Sequence, residues 1–201
     1  IIDGTFTATI GNALNFDGTN DYVNCGNNAN LNITGSLSLE AMVYRSSLGT
    51  DDCIIGKDNF TSANGYSFWL FADNKLGLRF GNRTYRGISQ LPQNKWIHVA
   101  GVYNASTSAV SLYINGNLDT TYSTVAVPVS NTLDLYLGTP QDATGNSTYS
   151  FWGSLEEVRI WNMVRSKEDI QTNMYNFINP ASAGLMAYYN FNEGVSGGSN
   201  T

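Results

Sequence analysis

The sequence predicts an all-β fold: two antiparallel sheets packed face to face, with one short helix near residues 166–178. Three observations carry that expectation. Short apolar or alternating stretches recur at spacings of about 8 to 12 residues, separated by Gly, Asn, Asp and Ser, which is the pattern of a sandwich or barrel. Asp73-Asn74 and Asn115-Gly116 stand between such stretches as tight hairpin turns, which imply antiparallel neighbours. Charged residues make up only 13% of the chain, so its polar surface consists mainly of uncharged hydrogen-bonding groups, as in many extracellular β modules.

In chain order the strand-like runs are 37 to 45 (LSLEAMVYR), 66 to 72 (YSFWLFA), 75 to 80 (KLGLRF), 96 to 103 (WIHVAGVY), 110 to 114 (VSLYI), 133 to 138 (LDLYLG), 155 to 161 (LEEVRIW) and 185 to 191 (LMAYYNF). Each is rich in the β-branched and aromatic residues that fit a half-buried pleated surface. One segment breaks the pattern. Ser166 followed by Asp169 resembles a capping box, and Ile170, Met174 and Phe177 recur at helical spacing until Pro180 closes the segment. Alternate side chains of the two sheets are expected to meet in a core filled by many of the four Trp, nine Phe and twelve Tyr.

At 201 residues the chain fits one all-β domain. The expected division is a single domain over 1–193 and a Gly/Ser-rich linker or tail over 194–201. A net charge of −6 and a pI near 4.5 argue against a nucleic-acid partner, which requires a basic footprint. No apolar run is long enough to span a bilayer and no leader opens the chain, so any export signal is expected upstream in a longer protein. Cys25 and Cys53, with a single histidine, cannot build a cysteine-based zinc site. They form a disulfide candidate, with two buried thiols as the alternative.

Phe16-Asp17-Gly18-Thr19-Asn20-Asp21-Tyr22-Val23 sets two acids four positions apart in a turn between apolar pieces. Read alone, it is either a hydrogen-bonded turn or a source of hard oxygen ligands for calcium.

Five motifs in order carry a resemblance: Ala13 to Val23 (ALNFDGTNDYV), Leu37 to Val43 (LSLEAMV), Trp96 to Tyr103, Leu112 to Gly116 (LYING) and Gly153 to Trp161 (GSLEEVRIW). Together they resemble the laminin-G-like branch of the concanavalin A-like jelly-roll lectin and glucanase superfamily. The resemblance implies a jelly roll and a structural calcium ion held by Asp17, a main-chain oxygen near Gly18, Asp21 and Glu156. The family usually has Asp where this chain has Glu156. Leu185 to Gly194 resembles the strand that usually opens such a domain. It is expected either to complete the present sheet or to begin a next repeat, and the first reading is preferred because an unpaired apolar edge invites aggregation.

Glucanases of this fold place two carboxylates alternately along one strand, whereas Glu156 and Glu157 are adjacent. His98 alternates with apparently core-facing residues and reads as structural. No enzyme activity is expected. For binding, Tyr66, Trp69, Tyr85 and Trp152 could stack on a sugar, and Asp51, Asp52, Asn59, Asn82 and Asn146 could meet hydroxyls. Burial in the core is the competing reading for Trp69 and Trp152. Arg79, Arg83 and Arg86, with Tyr85 among them, could grip a sulfated or carboxylated polysaccharide. Asn32, Asn59, Asn82, Asn104 and Asn146 begin Asn-x-Ser/Thr triplets, which matter only in a host that glycosylates them.

The expectation is therefore a non-catalytic carbohydrate-binding module of a larger secreted or surface protein. Its partners would be a glycan, anionic ones included, and neighbouring domains of the same chain. An adhesive or spacer module that contacts proteins is the rival.

Overall fold

A computed structural model describes residues 12–46, 48–58, 64–140 and 149–192. Expectations placed on Asn59, on Asn146 and on the tail from residue 194 lie outside those residues.

The described strands form two antiparallel sheets, the predicted sandwich. The larger runs in the order β1 (Leu14–Asp17), β12 (Trp152–Trp161), β3 (Leu37–Arg45), β8 (Trp96–Asn104), β9 (Ala109–Ile114) and β10 (Asn117–Ser123). The smaller runs β2 (Val23–Asn24), β11 (Tyr136–Leu137), β4 (Asp52–Asp58), β5 (Gly65–Leu70), β6 (Lys75–Phe80) and β7 (Arg83–Gln90). The last strand, β13 (Leu185–Tyr189), pairs with β12. Leu14 to Asp17 lie opposite Leu155 to Trp152, and Tyr189 to Leu185 lie opposite Val158 to Trp161. With β3 on the opposite edge of β12, the first and last strands share its remaining edge.

Alternation supplies the core. Leu37, Leu39, Ala41 and Val43 of β3 belong to one buried cluster with Tyr66, Phe68 and Leu70 of β5 and Leu76, Leu78 and Phe80 of β6. Each such Leu or Phe contributes roughly 1.5–3 kcal/mol by leaving water. Asn115 and Gly116 take φ of 48° and 69° between β9 and β10, the backbone that a twisted two-residue hairpin requires. Asn74 does the same at φ 65° between β5 and β6. The free edges of the two sheets are tied by Asp119, whose carboxylate accepts from the Ile88 N–H at 2.7 Å and the Ser89 N–H at 3.0 Å, and by Tyr122, which donates to the Arg86 carbonyl at 2.7 Å.

The helix α1 (Lys167–Asn173) lies over the outer face of the larger sheet, with Ile170 packed on Ala100 and Val102. The predicted capping box is present: Ser166 Oγ accepts from the Asp169 N–H at 3.1 Å, and the Asp169 carboxylate accepts from the Ser166 N–H at 3.0 Å. The helix is shorter than the predicted 166–178. Its last carbonyl and the chain just beyond it are held to the sheet by Arg159, which donates to the carbonyls of Asn173 at 3.0 Å and Asn176 at 2.7 Å.

The disulfide expectation is corrected. No disulfide joins Cys25 and Cys53. Cys25 follows β2 and Cys53 lies in β4, two strands apart or roughly 10 Å across the sheet, beyond the reach of a bridge. Burial pushes the Cys25 thiol above its ordinary range despite a hydrogen bond with Tyr189.

Candidate functional site

The acidic turn is built by its own side chains. Asp17 Oδ1 accepts from the Thr19 N–H at 2.7 Å, and Asp21 Oδ2 accepts from the Asp17 N–H at 2.9 Å. Both carboxylates thus organise the turn, and both residues are exposed. Gly18 stands at φ +76°, and a Cβ there would come within 2.8 Å of the Trp152 Cβ. The turn therefore lies directly against the indole.

Trp152 is the register partner of Asp17 and remains 48% exposed. Its position is fixed from both sides. The segment leading into β12 crosses the end of the sandwich: Tyr149 meets Trp69 edge-on at 5.7 Å, Ser150 Oγ donates to the Thr19 carbonyl at 3.2 Å, and Phe151 meets Phe16 edge-on at 5.9 Å. Beyond β3, the Ser46 N–H donates to the Trp152 carbonyl at 2.9 Å. Behind this end, Arg45 donates to Asp52 at 2.8 Å, to the Phe71 carbonyl at 2.8 Å and to Asn74 at 2.7 Å, joining the end of β3 to the start of β4 and to the β5–β6 turn. Burial raises the Asp52 carboxyl above its ordinary range, and the Arg45 charge offsets this only in part. The organising role of Arg45 escaped the sequence reading; its one signal is an arginine ending a largely apolar strand.

Glu156 does not join the turn. It sits four residues beyond Trp152 on β12, opposite Met42, and is buried. At 3.3–3.4 Å per residue, that places it roughly 13 Å along the strand from the level of Asp17. Among the described residues no group of three or more His, Cys, Asp or Glu side chains is placed to hold a metal ion. Asp17, Asp21 and main-chain oxygens of the turn match the oxygen chemistry calcium takes, but the four-ligand set with Glu156 does not fit this register.

The Arg79 to Arg86 stretch is less basic than its sequence suggests. Arg79 is buried and ion-paired with Asp58, which also accepts from Ser67 Oγ at 2.8 Å. Arg86 pairs with Asp73 and lies over the Phe71 ring, 4.1 Å from its centroid. Arg83 is exposed at the start of β7. Three candidate platforms are withdrawn by burial. Trp69 is 1% exposed and donates its Nε1–H to Ser67 at 2.7 Å, and Tyr85 sits in the core 5.2 Å from the Phe80 ring. Tyr66 is likewise buried, donating to the Leu31 carbonyl at 3.0 Å.

The strongest cluster of ionisable groups lies elsewhere, beneath α1. Glu40 Oε2 is 3.3 Å from His98 Nε2 and 3.8 Å from Arg159, and Glu40 Oε1 is 3.3 Å from Arg165. Burial raises the Glu40 carboxyl, but the His98 contact and the charges of Arg159 and Arg165 together outweigh it and hold the group below its ordinary range. Arg159 also pairs with Glu157, which accepts from the Tyr188 hydroxyl at 2.6 Å. Burial and that carboxylate push Tyr188 up to about 12. Glu40, His98, Arg159 and Glu157 are all buried, so this set joins helix to sheet and offers no open groove to a substrate.

Comparison with known proteins agrees with this architecture. A family model, Laminin_G_3 of the concanavalin A-like lectin/glucanases superfamily, matches residues 17–171. A Bacteroides ovatus protein, named as a candidate carbohydrate-binding protein, superposes with a TM-score of 0.77 at 23% identity, covering 91% of this chain and 52% of its own. The chain thus spans about half the length of that protein. The CBM40 module of a Ruminococcus gnavus sialidase, solved with α2,3-sialyllactose, gives a TM-score of 0.67 at 14% identity, covering 80% of this chain and 95% of its own. Domain 4 of an extracellular arabinanase from Geobacillus stearothermophilus, solved with arabinotriose, gives 0.62 at 18% identity, covering 82% and 77%. No curated protein matches the sequence. At these identities the structural likenesses establish the fold.

Proposed function

Because this chain belongs to the concanavalin A-like lectin/glucanases superfamily, we propose that it is a non-catalytic carbohydrate-binding module whose site is centred on Trp152. The observation that carries the reading is an exposed indole, 48% accessible, set against a turn that presents Asp17, Thr19, Asn20 and Asp21. Apolar ring against polar neighbours is the composition of a small-ligand site, where the aromatic supplies contact area and a few polar groups set orientation. A pyranose would lay its C–H face on the indole while its hydroxyls meet the exposed carboxylates and amide of the turn. Solved relatives of this fold include modules in complex with sialyllactose and arabinotriose, which supports a sugar ligand here.

The ligand proposed is neutral rather than anionic. Arg79 and Arg86 are already paired with Asp58 and Asp73, and the turn beside Trp152 is itself acidic. A glycan array carrying neutral and sialylated sugars, read for the native chain and for Trp152→Ala, tests both statements. Absence of any ligand for a folded sample would sink the reading. Placement in a secreted or surface protein, beside neighbouring domains, is part of the same proposal and is supported by the extracellular arabinanase among the relatives.

A structural calcium ion is proposed at the turn alone, with Asp17, Asp21 and the Gly18 main chain as ligands and Glu156 uninvolved. When bound it would neutralise two neighbouring carboxylates and stiffen the turn under Trp152. Ligand linkage then predicts a melting temperature that rises with free calcium and returns with EDTA; an unchanged melting curve reduces the segment to a hydrogen-bonded turn.

The rival, an adhesive or spacer module, draws on exposed Ile88 and Leu118, which flank the Asp119 tie between the sheet edges. A protein partner competed off by Ile88→Ser, with no sugar bound, would favour it.

A further inference from the structure

The outer face of the larger sheet is closed around α1 and opens beside Trp152. Glu156, Met42 and His98 are neighbours across β12, β3 and β8, and all three are buried. One level nearer Trp152, Ser154, Tyr44 and Trp96 are neighbours across the same strands and are half-buried. The helix layer reaches the border of this level: a Cβ on Gly116, in the β9–β10 turn beside His98, would come within 2.6 Å of the Gln171 side chain.

We propose that the open strip continues the Trp152 site, so that the ligand is a linear neutral oligosaccharide lying across β12, β3 and β8 with Tyr44 and Trp96 as its second platform, an extension that rests on the Trp152 reading. Trp152 lies opposite Ser46, which makes Tyr44 its diagonal neighbour on the adjacent strand, roughly 7–8 Å away and within reach of large side chains. Trp96 stands one strand further, its ring 5.7 Å from that of Tyr44 and tilted 56° to it. From Trp152 to Trp96 is two strand spacings across the sheet and two residues along it, roughly 12 Å between Cα positions. That span exceeds a single sugar ring and suits a short run of linked rings.

An exposed aromatic standing alone, such as Phe177, needs no ligand to explain it, whereas three rings in one strip at the end of a sheet form a patch. Polar groups lie within the strip as well. Asn15 donates to Ser154 Oγ at 3.1 Å and to the Gly153 carbonyl at 3.2 Å, so the Ser154 oxygen is held as an acceptor and its own hydrogen is left for a sugar oxygen. None of Asn15, Tyr44, Trp96, Trp152 and Ser154 carries a charge, which matches a neutral chain of sugars rather than an anionic one.

The test is an NMR titration of the whole chain, read at the indole N–H signals, with cello-, xylo-, manno- and arabino-oligosaccharides of increasing length, repeated on Trp96→Ala and Trp152→Ala. Single sugars are expected to shift the Trp152 signal alone. With at least one series, three linked rings should shift both Trp152 and Trp96 and bind about tenfold tighter than one. Trp96→Ala should remove that gain while leaving single-sugar affinity unchanged, an outcome that a purely structural role would not produce. Tyr44→Ala replaces Trp96→Ala if the latter fails to fold. Affinity that does not rise with length, a Trp96 signal that stays still while Trp152 moves, or a gain that survives in the folded variant would each overturn the extension alone and reduce Tyr44 and Trp96 to a cross-strand packing pair. Affinity unchanged in a folded Trp152→Ala protein, or no binding by any series, would overturn the Trp152 reading and the extension with it.

Discussion

Replacing Arg159 with Met removes the centre of the buried cluster without changing side-chain bulk greatly, and its cost can be worked from the contacts. Arg159 is fully buried, lies 3.8 Å from Glu40, pairs with Glu157, and donates to the carbonyls of Asn173 at 3.0 Å and Asn176 at 2.7 Å. The substitution takes one cationic partner from each of two buried carboxylates and leaves the carbonyls of Asn173, at the end of α1, and Asn176, three residues on, without this donor. Breaking one buried ion pair from one side costs about 3–5 kcal/mol. For a domain of this size each kcal/mol moves the melting temperature by roughly 2–4 °C, so a drop near 10 °C is expected. Circular dichroism melts and urea titrations of both proteins measure it. The pH dependence adds a sign. Glu40 is held below its ordinary value of 4.5, so its contribution is present above about that pH and fades as pH falls through the lower folded value. In the variant, the two carboxyls, each short of one cationic partner, protonate more readily, so the gap between the two proteins should narrow on acidification. A loss under about 1 kcal/mol at neutral pH, or a gap that widens in acid, would refute the account of this cluster.

Gly18→Ala places a Cβ at φ +76° and 2.8 Å from the Trp152 Cβ, so a loss of roughly 1–3 kcal/mol is expected with weaker sugar binding, measured by melting and titration. Equal stability would show that the turn does not press on the indole. Unfolded without reductant, the chain should yield two titratable thiols, and a mass two hydrogens short would contradict the separation of Cys25 from Cys53. Cys25, pushed up by burial, should react slowly with iodoacetamide in the folded state near neutral pH and quickly once unfolded.

The sandwich was legible because hairpin turns and apolar alternation are local. Asn115-Gly116 dictates its turn whatever surrounds it, and the Ser166–Asp169 box closes within four residues. What was not legible depends on distant partners. β4 reads as broken by charge, yet Asp52, Lys57 and Asp58 are all buried in it because Arg45, Asn27 and Arg79 reach them from other loops and strands. β7 presents little alternation, since its outward Arg83, Thr84 and Arg86 face solvent on an edge. The same limit governed the sites. Trp69 and Trp152 are indistinguishable by type; the segment through Tyr149 and Phe151 buries one and leads into the other at the sandwich end. Glu156 shares a motif with the predicted calcium set, and only the register of β1 on β12 shows the four-residue offset.

The central claim is that sugar is held at Trp152, and isothermal titration of the best neutral glycan from the array against native chain and Trp152→Ala tests it most directly. Truncating a central aromatic anchor is expected to cost about 2 kcal/mol, roughly 30-fold in Kd, with the melting temperature little changed because the ring is half exposed. Unchanged affinity in a folded Trp152→Ala protein would contradict it.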